Sequence, residues 1–181
     1  SLILICNPRT LTIFNKVTII NNFVAVFLIW QEVFRRKDIN ICTAISSKKG
    51  EIKAYLFEQG SGLNTNSIEW AKKWRKKLDK DFITRKVKKE KLCDILMRYN
   101  VTKKFELLNI DVEGHELEVL KGLNLKLYKP QLISIEIHVK KTREIFQSEV
   151  YEFLSKNNYE LISHYRQTSF FIPKKDLSAF N

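Results

Sequence analysis

The 181-residue sequence predicts an α/β fold built on a largely parallel sheet. Three observations lead there. Several runs (LILIC, INICTAI, FELLNI, QLISIEI) have the length and continuous apolar character of buried strands. Segments with helical spacing lie between them. The strand–helix–strand succession from Phe105 to Ile137 is long enough to need a crossover, which joins parallel strands. A chain of this length makes one domain, here taken as residues 1–181, with one core. Its 44% apolar and 29% charged residues fit a globular chain and exclude bulk disorder.

Leu2–Cys6 reads as a buried strand stopped by Asn7-Pro8, and Thr10–Lys16 as the opening of a helix. The stretch Leu11–Trp30 is rich in Ile, Val, Phe and Leu, but Asn15, Lys16, Asn21 and Asn22 interrupt it. A buried strand and helix fit it better than a membrane span, which needs ~20 predominantly apolar residues. Ile39–Ile45 is the next strand. In Glu51–Glu58 apolar and polar residues alternate, with Ile52, Ala54 and Leu56 on one parity, as in a half-exposed strand.

After a loop at Gln59–Thr65, Asn66 with Glu69 resembles a capping box. Trp70, Trp74 and Leu78 then recur at helical spacing and define a buried face, with lysines around the rest. Ile83–Val87 is a short strand and Lys89–Tyr99 a helix with Leu92, Ile95, Leu96 and Tyr99 inward. Phe105–Ile110, a turn at Asp111–Gly114, a helix at His115–Lys121 and Gln131–Ile137 complete the clearest unit. Phe146, Val150, Phe153 and Leu154 mark a last helix, and Tyr159–Tyr165 with Ser169–Pro173 a closing antiparallel hairpin.

The chain carries 32 Lys and Arg against 20 Asp and Glu, a net +12. Residues 70–104 hold 14 of those cations and four of the acids. Such a concentration suits an anionic partner: nucleic acid, an anionic lipid or membrane surface, or an acidic glycan. A nucleic-acid-binding module is the rival reading of this segment, since Trp70, Trp74 and Tyr99 lie among its cations, but tryptophans on a buried helix face serve packing. Cys6, Cys42 and Cys93 are widely spaced and form no CxxC pair, so neither a disulfide framework nor a zinc ribbon is expected. A reducing, cytoplasmic location follows, with membrane-surface contact through the basic segment.

From Phe105 to Leu120 the charge inverts to five acids and no Lys or Arg. Glu113 and Glu116 suit the positive amino end of the following helix, a stabilisation of about 0.3–1 kcal/mol each. Asp111 ends an apolar strand, where a carboxylate requires a cationic or hydrogen-bonding partner. His115, near Glu113 and His138, suits general-base work near neutral pH. There is no HExxH, GxSxG, GxGxxG or Walker A pattern and no metal-spaced Cys/His set, so no metal is expected.

The block NIDVEGHELEVLKGL (Asn109–Leu123), followed by PQLISIEIH (Pro130–His138), resembles the FkbM family of S-adenosylmethionine-dependent methyltransferases, whose members commonly carry D-x-E-G-x-E at the end of a strand. DINICTAIS, SGLNT and KVKKEKLCDIL extend the likeness over roughly residues 37–173. The resemblance implies a Rossmann-like, mostly parallel sheet with flanking helices, S-adenosylmethionine as donor, and transfer to a hydroxyl, often of a sugar or glycan. It implies Asp111, Glu113 and His115 as catalytic, Asn109, Asp111 and Gly114 as donor-binding, and Glu136, His138 and Asn64 as substrate-binding. The family's glycine-rich donor loop and the acid after its second strand have no counterpart. LICNPRTLTIFNK matches the second-strand region, with Ile5 in the place of the acid. A chain that opens on Ser1 is then expected to lack the first strand, as a fragment or as an inactive, methyltransferase-like scaffold.

Overall fold

The computed structural model describes residues 2–6, 16–21, 39–57, 65, 67–112 and 114–179. Among them nine strands form one sheet in the order β4-β5-β3-β2-β1-β6-β7-β9-β8. The strands are β1 (Leu2–Cys6), β2 (Lys16–Asn21), β3 (Ile39–Ile45), β4 (Gly50–Leu56), β5 (Ile83–Glu90), β6 (Lys104–Ile110), β7 (Lys129–Glu136), β8 (Tyr159–Tyr165) and β9 (Thr168–Pro173). Four α-helices accompany them: α1 (Ile68–Leu78), α2 (Leu92–Arg98), α3 (Glu116–Lys121) and α4 (Glu149–Lys156).

The sheet is mixed, which qualifies the mostly parallel expectation. β3-β2-β1-β6-β7 pair in parallel, and β5 joins β3 in parallel. β4 runs antiparallel to β5, and β9 and β8 close the opposite edge as the expected hairpin. The division follows burial. On β6 and β7 the side chains of Leu108, Ile110, Ile133 and Ile135 are wholly buried on one face, and Phe105 and Ser134 are buried on the other. β4 and β5 carry exposed Lys and Glu among their apolar residues and tolerate one wet face.

Both edges of β6 are taken, by β1 and by β7, so the sheet leaves no gap for the missing strand. Leu2–Cys6 fills the place beside β6 and is not one strand further out. Lys16, expected within a helix, opens β2. The expected Thr10–Asn15 part of that helix, the apolar run Phe23–Trp30 and most of the Gln59–Thr65 loop lie outside the described residues. No helix among the described residues is long and apolar enough to cross a membrane.

Several local expectations shift for identifiable reasons. Ser67, not Asn66, caps α1, its hydroxyl accepting the Trp70 amide at 3.3 Å. On α1 only Ala71 is buried; Trp70 and Trp74 are half-buried and Leu78 is exposed, so the aromatic stripe is not core. β5 runs on to Glu90, taking Lys89 and Glu90 out of α2, because Lys89 pairs with Gly50 of β4 and Ala44 of β3, and Glu90 with Ile45 of β3. Leu92, Ile95 and Leu96 are buried as expected, while Tyr99 and Phe146 are exposed.

The core joins Leu92, Ile95 and Leu96 of α2 and Val119 and Leu120 of α3 to the inner strands. Gly122, just past α3, is fixed by close packing: a Cβ there would lie 2.4 Å from the Ser46 carbonyl oxygen. Its own carbonyl accepts the Cys93 amide at 3.0 Å, so this one residue ties α3 to the end of β3 and the start of α2.

Candidate functional site

In open α/β sheets the loops beyond the carboxyl ends of the strands converge on a shared mouth. β6 and β7 end side by side, Ile110 opposite Ile135, so the residues that follow, Asp111 and Glu136, are neighbours across a strand spacing of about 4.8 Å. Asn109 lies one step back in β6, between Leu4 of β1 and Ser134 of β7. Asp111 is half-buried.

The turn after Asp111 is organised by Glu116. This residue is only 6% exposed, and one of its carboxylate oxygens, Oε1, accepts both the Val112 amide at 3.2 Å and the Gly114 amide at 3.0 Å. Burial pushes its pKa up; the two loop amides oppose the shift, and neighbouring Glu136 adds to it. Gly114 has φ +95°, a conformation L side chains rarely adopt, so the turn needs glycine. Glu116 is thus more than a complement to the helix amino end: it holds the turn that presents Asp111.

Glu136 and His138 form the second part of the mouth. Glu136 Oε2 and His138 Nε2 are 3.3 Å apart, an ion-pair contact when the imidazole is protonated. That carboxylate oxygen is nevertheless buried and has no hydrogen-bond partner among the described residues, so the geometry is that of a close pair without a formed bond. The Trp70 ring lies over His138, with centroids 6.2 Å apart, and its Nε1 would sit 3.6 Å from a Cβ at Gly114. α1 therefore carries Trp70 to the mouth rather than into the core. Trp74 stacks against it at 6.4 Å, and Lys73 and Lys77 lie over the two rings at 4.3 and 4.9 Å.

His115 has different company. It occupies the N-cap position of α3, and burial depresses its pKa, with Glu118 pulling upward and Lys89 pushing further down. Glu118 accepts a very short hydrogen bond from the Ser47 hydroxyl and pairs with Lys121 at 3.2 Å; Ser47 is the main cause of its lowered pKa. The charged groups around His115 thus belong to the β3–β5 side, while His138 meets Glu136 and Trp70. The expected cluster of His115 with His138 divides into two settings. Glu113 and Asn64 lie outside the described residues.

Trp70 is the mouth residue that sequence reasoning missed. Its helical spacing with Trp74 and Leu78 pointed to a core face; the signal that could have found it was the dense lysine flanking, which keeps that helix at the surface. The assembled mouth offers carboxylates, an imidazole and an aromatic face: a surface suited to a cationic group next to a polar molecule with a flat apolar side.

A family model described as Methyltransferase FkbM domain matches residues 16–161. Comparison with curated proteins and with solved structures gave no match.

Proposed function

The chain belongs to the FkbM methyltransferase family, and we propose that it transfers a methyl group from S-adenosylmethionine to a hydroxyl oxygen of a sugar or glycan. The observation that carries this reading is the acid-rich mouth at the ends of β6 and β7, above all the buried Glu136 oxygen that has no hydrogen-bond partner among the described residues. A buried carboxylate without a full set of partners is costly unless a cation meets it, and the donor's sulfonium and ammonium are both cationic. The residues present therefore fit the donor at this end. Bound there, S-adenosylmethionine supplies an electrophilic methyl group on a positively charged sulfur.

Asp111, with the backbone at Asn109 and Gly114, would hold the donor, and Glu116 keeps their turn in shape. Glu113, next to them in the signature, remains a candidate for the acceptor side. His138 is the better-placed general base: neutral imidazole takes the acceptor hydroxyl proton, and Glu136 beside it stabilises the imidazolium that results. Their 3.3 Å separation tightens when the acceptor binds, since catalytic contacts are often loose in the empty site. His115, which faces Glu118 and Lys89, takes no part in that step. Trp70 offers its face to the apolar side of a sugar ring and excludes water from the mouth. Catalysis then rests on holding the acceptor oxygen in line and on electrostatics.

The test is transfer of labelled methyl to a panel of glycans by parent, His138→Ala and His115→Ala chains. Loss of transfer in His138→Ala with donor-product binding kept, and activity retained in His115→Ala, is the expected result. Equal activity in parent and His138→Ala would remove the base assignment.

A further inference from the structure

The opposite end of the sheet carries a second site. Lys104 and Lys129 are the first residues of β6 and β7. They open onto a cavity of about 680 Å³ that is also lined by Lys126, Lys156, Lys174 and Lys175. At about 3.3 Å per residue, the seven residues of β6 put Lys104 roughly 20 Å from Ile110, so nothing bound here reaches the signature loop. The six lysines that line it come from the starts of two strands, the turn before β7, the end of α4 and the segment after β9. They are dispersed along the sequence, and five of them lie beyond the basic run 70–104.

The cavity's own lining, as far as it is described, contains no carboxylate. Acids nearby meet three of the lysines: Glu152 lies 2.6 Å from Lys156, Glu160 3.6 Å from Lys174 and Asp176 3.9 Å from Lys175. These are solvent-exposed pairs, worth little and easily exchanged. The ammonium groups of Lys104, Lys126 and Lys129 have no carboxylate partner among the described residues. The second cavity beside it shares Lys104, Lys129 and Lys175 and also meets Glu106 and Asp176, which bounds the cationic zone on that side. The floor is apolar, formed by Leu125, Tyr159 and Pro173.

We propose that this cavity binds a soluble ligand bearing two or more phosphate groups. Ligand cavities of about 300–1,000 Å³ hold small molecules, so the space suits an organic polyphosphate. Several lysines on one small cavity repel one another, and a compact polyanion relieves that repulsion while accepting charge-assisted hydrogen bonds. A membrane surface is the less fitting source of phosphate, because the lysines line a concavity rather than a flat face.

Titration calorimetry of the full chain with inorganic tripolyphosphate at low salt tests this, with circular dichroism as the folding check. Tripolyphosphate has no adenosine, so the donor site does not compete for it. Binding is expected, weakened about tenfold or more in Lys104→Ala/Lys129→Ala and unchanged in Lys72→Ala/Lys76→Ala on α1. Binding of S-adenosylhomocysteine, followed in parallel, is expected to be the same in all three chains, which keeps this test separate from the methyltransferase reading. Absence of tripolyphosphate binding, a loss in the α1 variant instead, or binding only to phosphatidylglycerol vesicles would each overturn the proposal.

Discussion

Replacing Glu116 by alanine removes the acceptor of two backbone amides at once. Val112 is 7% exposed, so its amide is left buried without a partner, while the Gly114 amide lies where water can replace the carboxylate. A buried unsatisfied donor costs about 1–3 kcal/mol, and relief of the buried charge offsets part of it, so the net loss is expected at roughly 1–2 kcal/mol. For a chain of this size that lowers Tm by a few degrees, about 2–4 °C per kcal/mol. Glu116→Gln keeps an oxygen acceptor and is expected within about 1 kcal/mol of the parent. Urea unfolding measures the loss, and amide hydrogen exchange at Val112 and Gly114 locates it. An alanine variant as stable as the parent, with unchanged exchange at both amides, would refute the role given to Glu116.

Three further outcomes follow from the same geometry. Gly122→Ala drives a Cβ to 2.4 Å from a backbone oxygen that cannot swing aside, so α3 must shift from β3; a loss of about 1–3 kcal/mol or more in urea unfolding is expected. Stability is expected to fall on acidification: Glu118, whose folded pKa is depressed, contributes above the ordinary carboxylate range and loses that contribution as pH falls through its folded value, and buried His115, also depressed, resists the protonation that the unfolded chain accepts. Glu116 acts in the opposite sense, its raised pKa reducing stability as pH rises, so Ser47→Ala should flatten the acid branch of the stability profile and Glu116→Gln its approach to neutrality. Trp70→Ala is expected to raise KM for the acceptor while leaving the fold intact, since the ring lies at the mouth and not in the core; steady-state kinetics and circular dichroism separate the two effects.

The inner strands were legible because their buried positions carry Phe, Leu and Ile in short dense runs, broken by single polar residues such as Glu106 and Ser134. The signature turn was legible from Asp111, Gly114 and Glu116, whose types suit a strand end, a positive φ and a helix start. The edges of the sheet were less so. β4 pairs with β5 as far as Lys89 and β3 pairs with Lys89 and Glu90, which draws both residues from helix to strand, a tertiary effect that spacing alone does not carry. Leu2–Cys6 pairs with β6, a partner about a hundred positions away, which no local pattern specifies. Trp70 failed for a related reason: helical periodicity marks a face as apolar but does not say whether core or mouth lies opposite. The neighbours of His115 and His138 come from segments distant in sequence, such as Lys89 and Trp70, and the lysine cavity gathers residues spread from 104 to 175.

Binding of S-adenosylhomocysteine to the full, folded chain is the most direct measurement of the central claim. The account predicts a saturable calorimetric signal in the parent and its loss in Asp111→Ala with circular dichroism unchanged. A folded chain that binds neither S-adenosylhomocysteine nor S-adenosylmethionine, or one whose binding is untouched by Asp111→Ala, would contradict it.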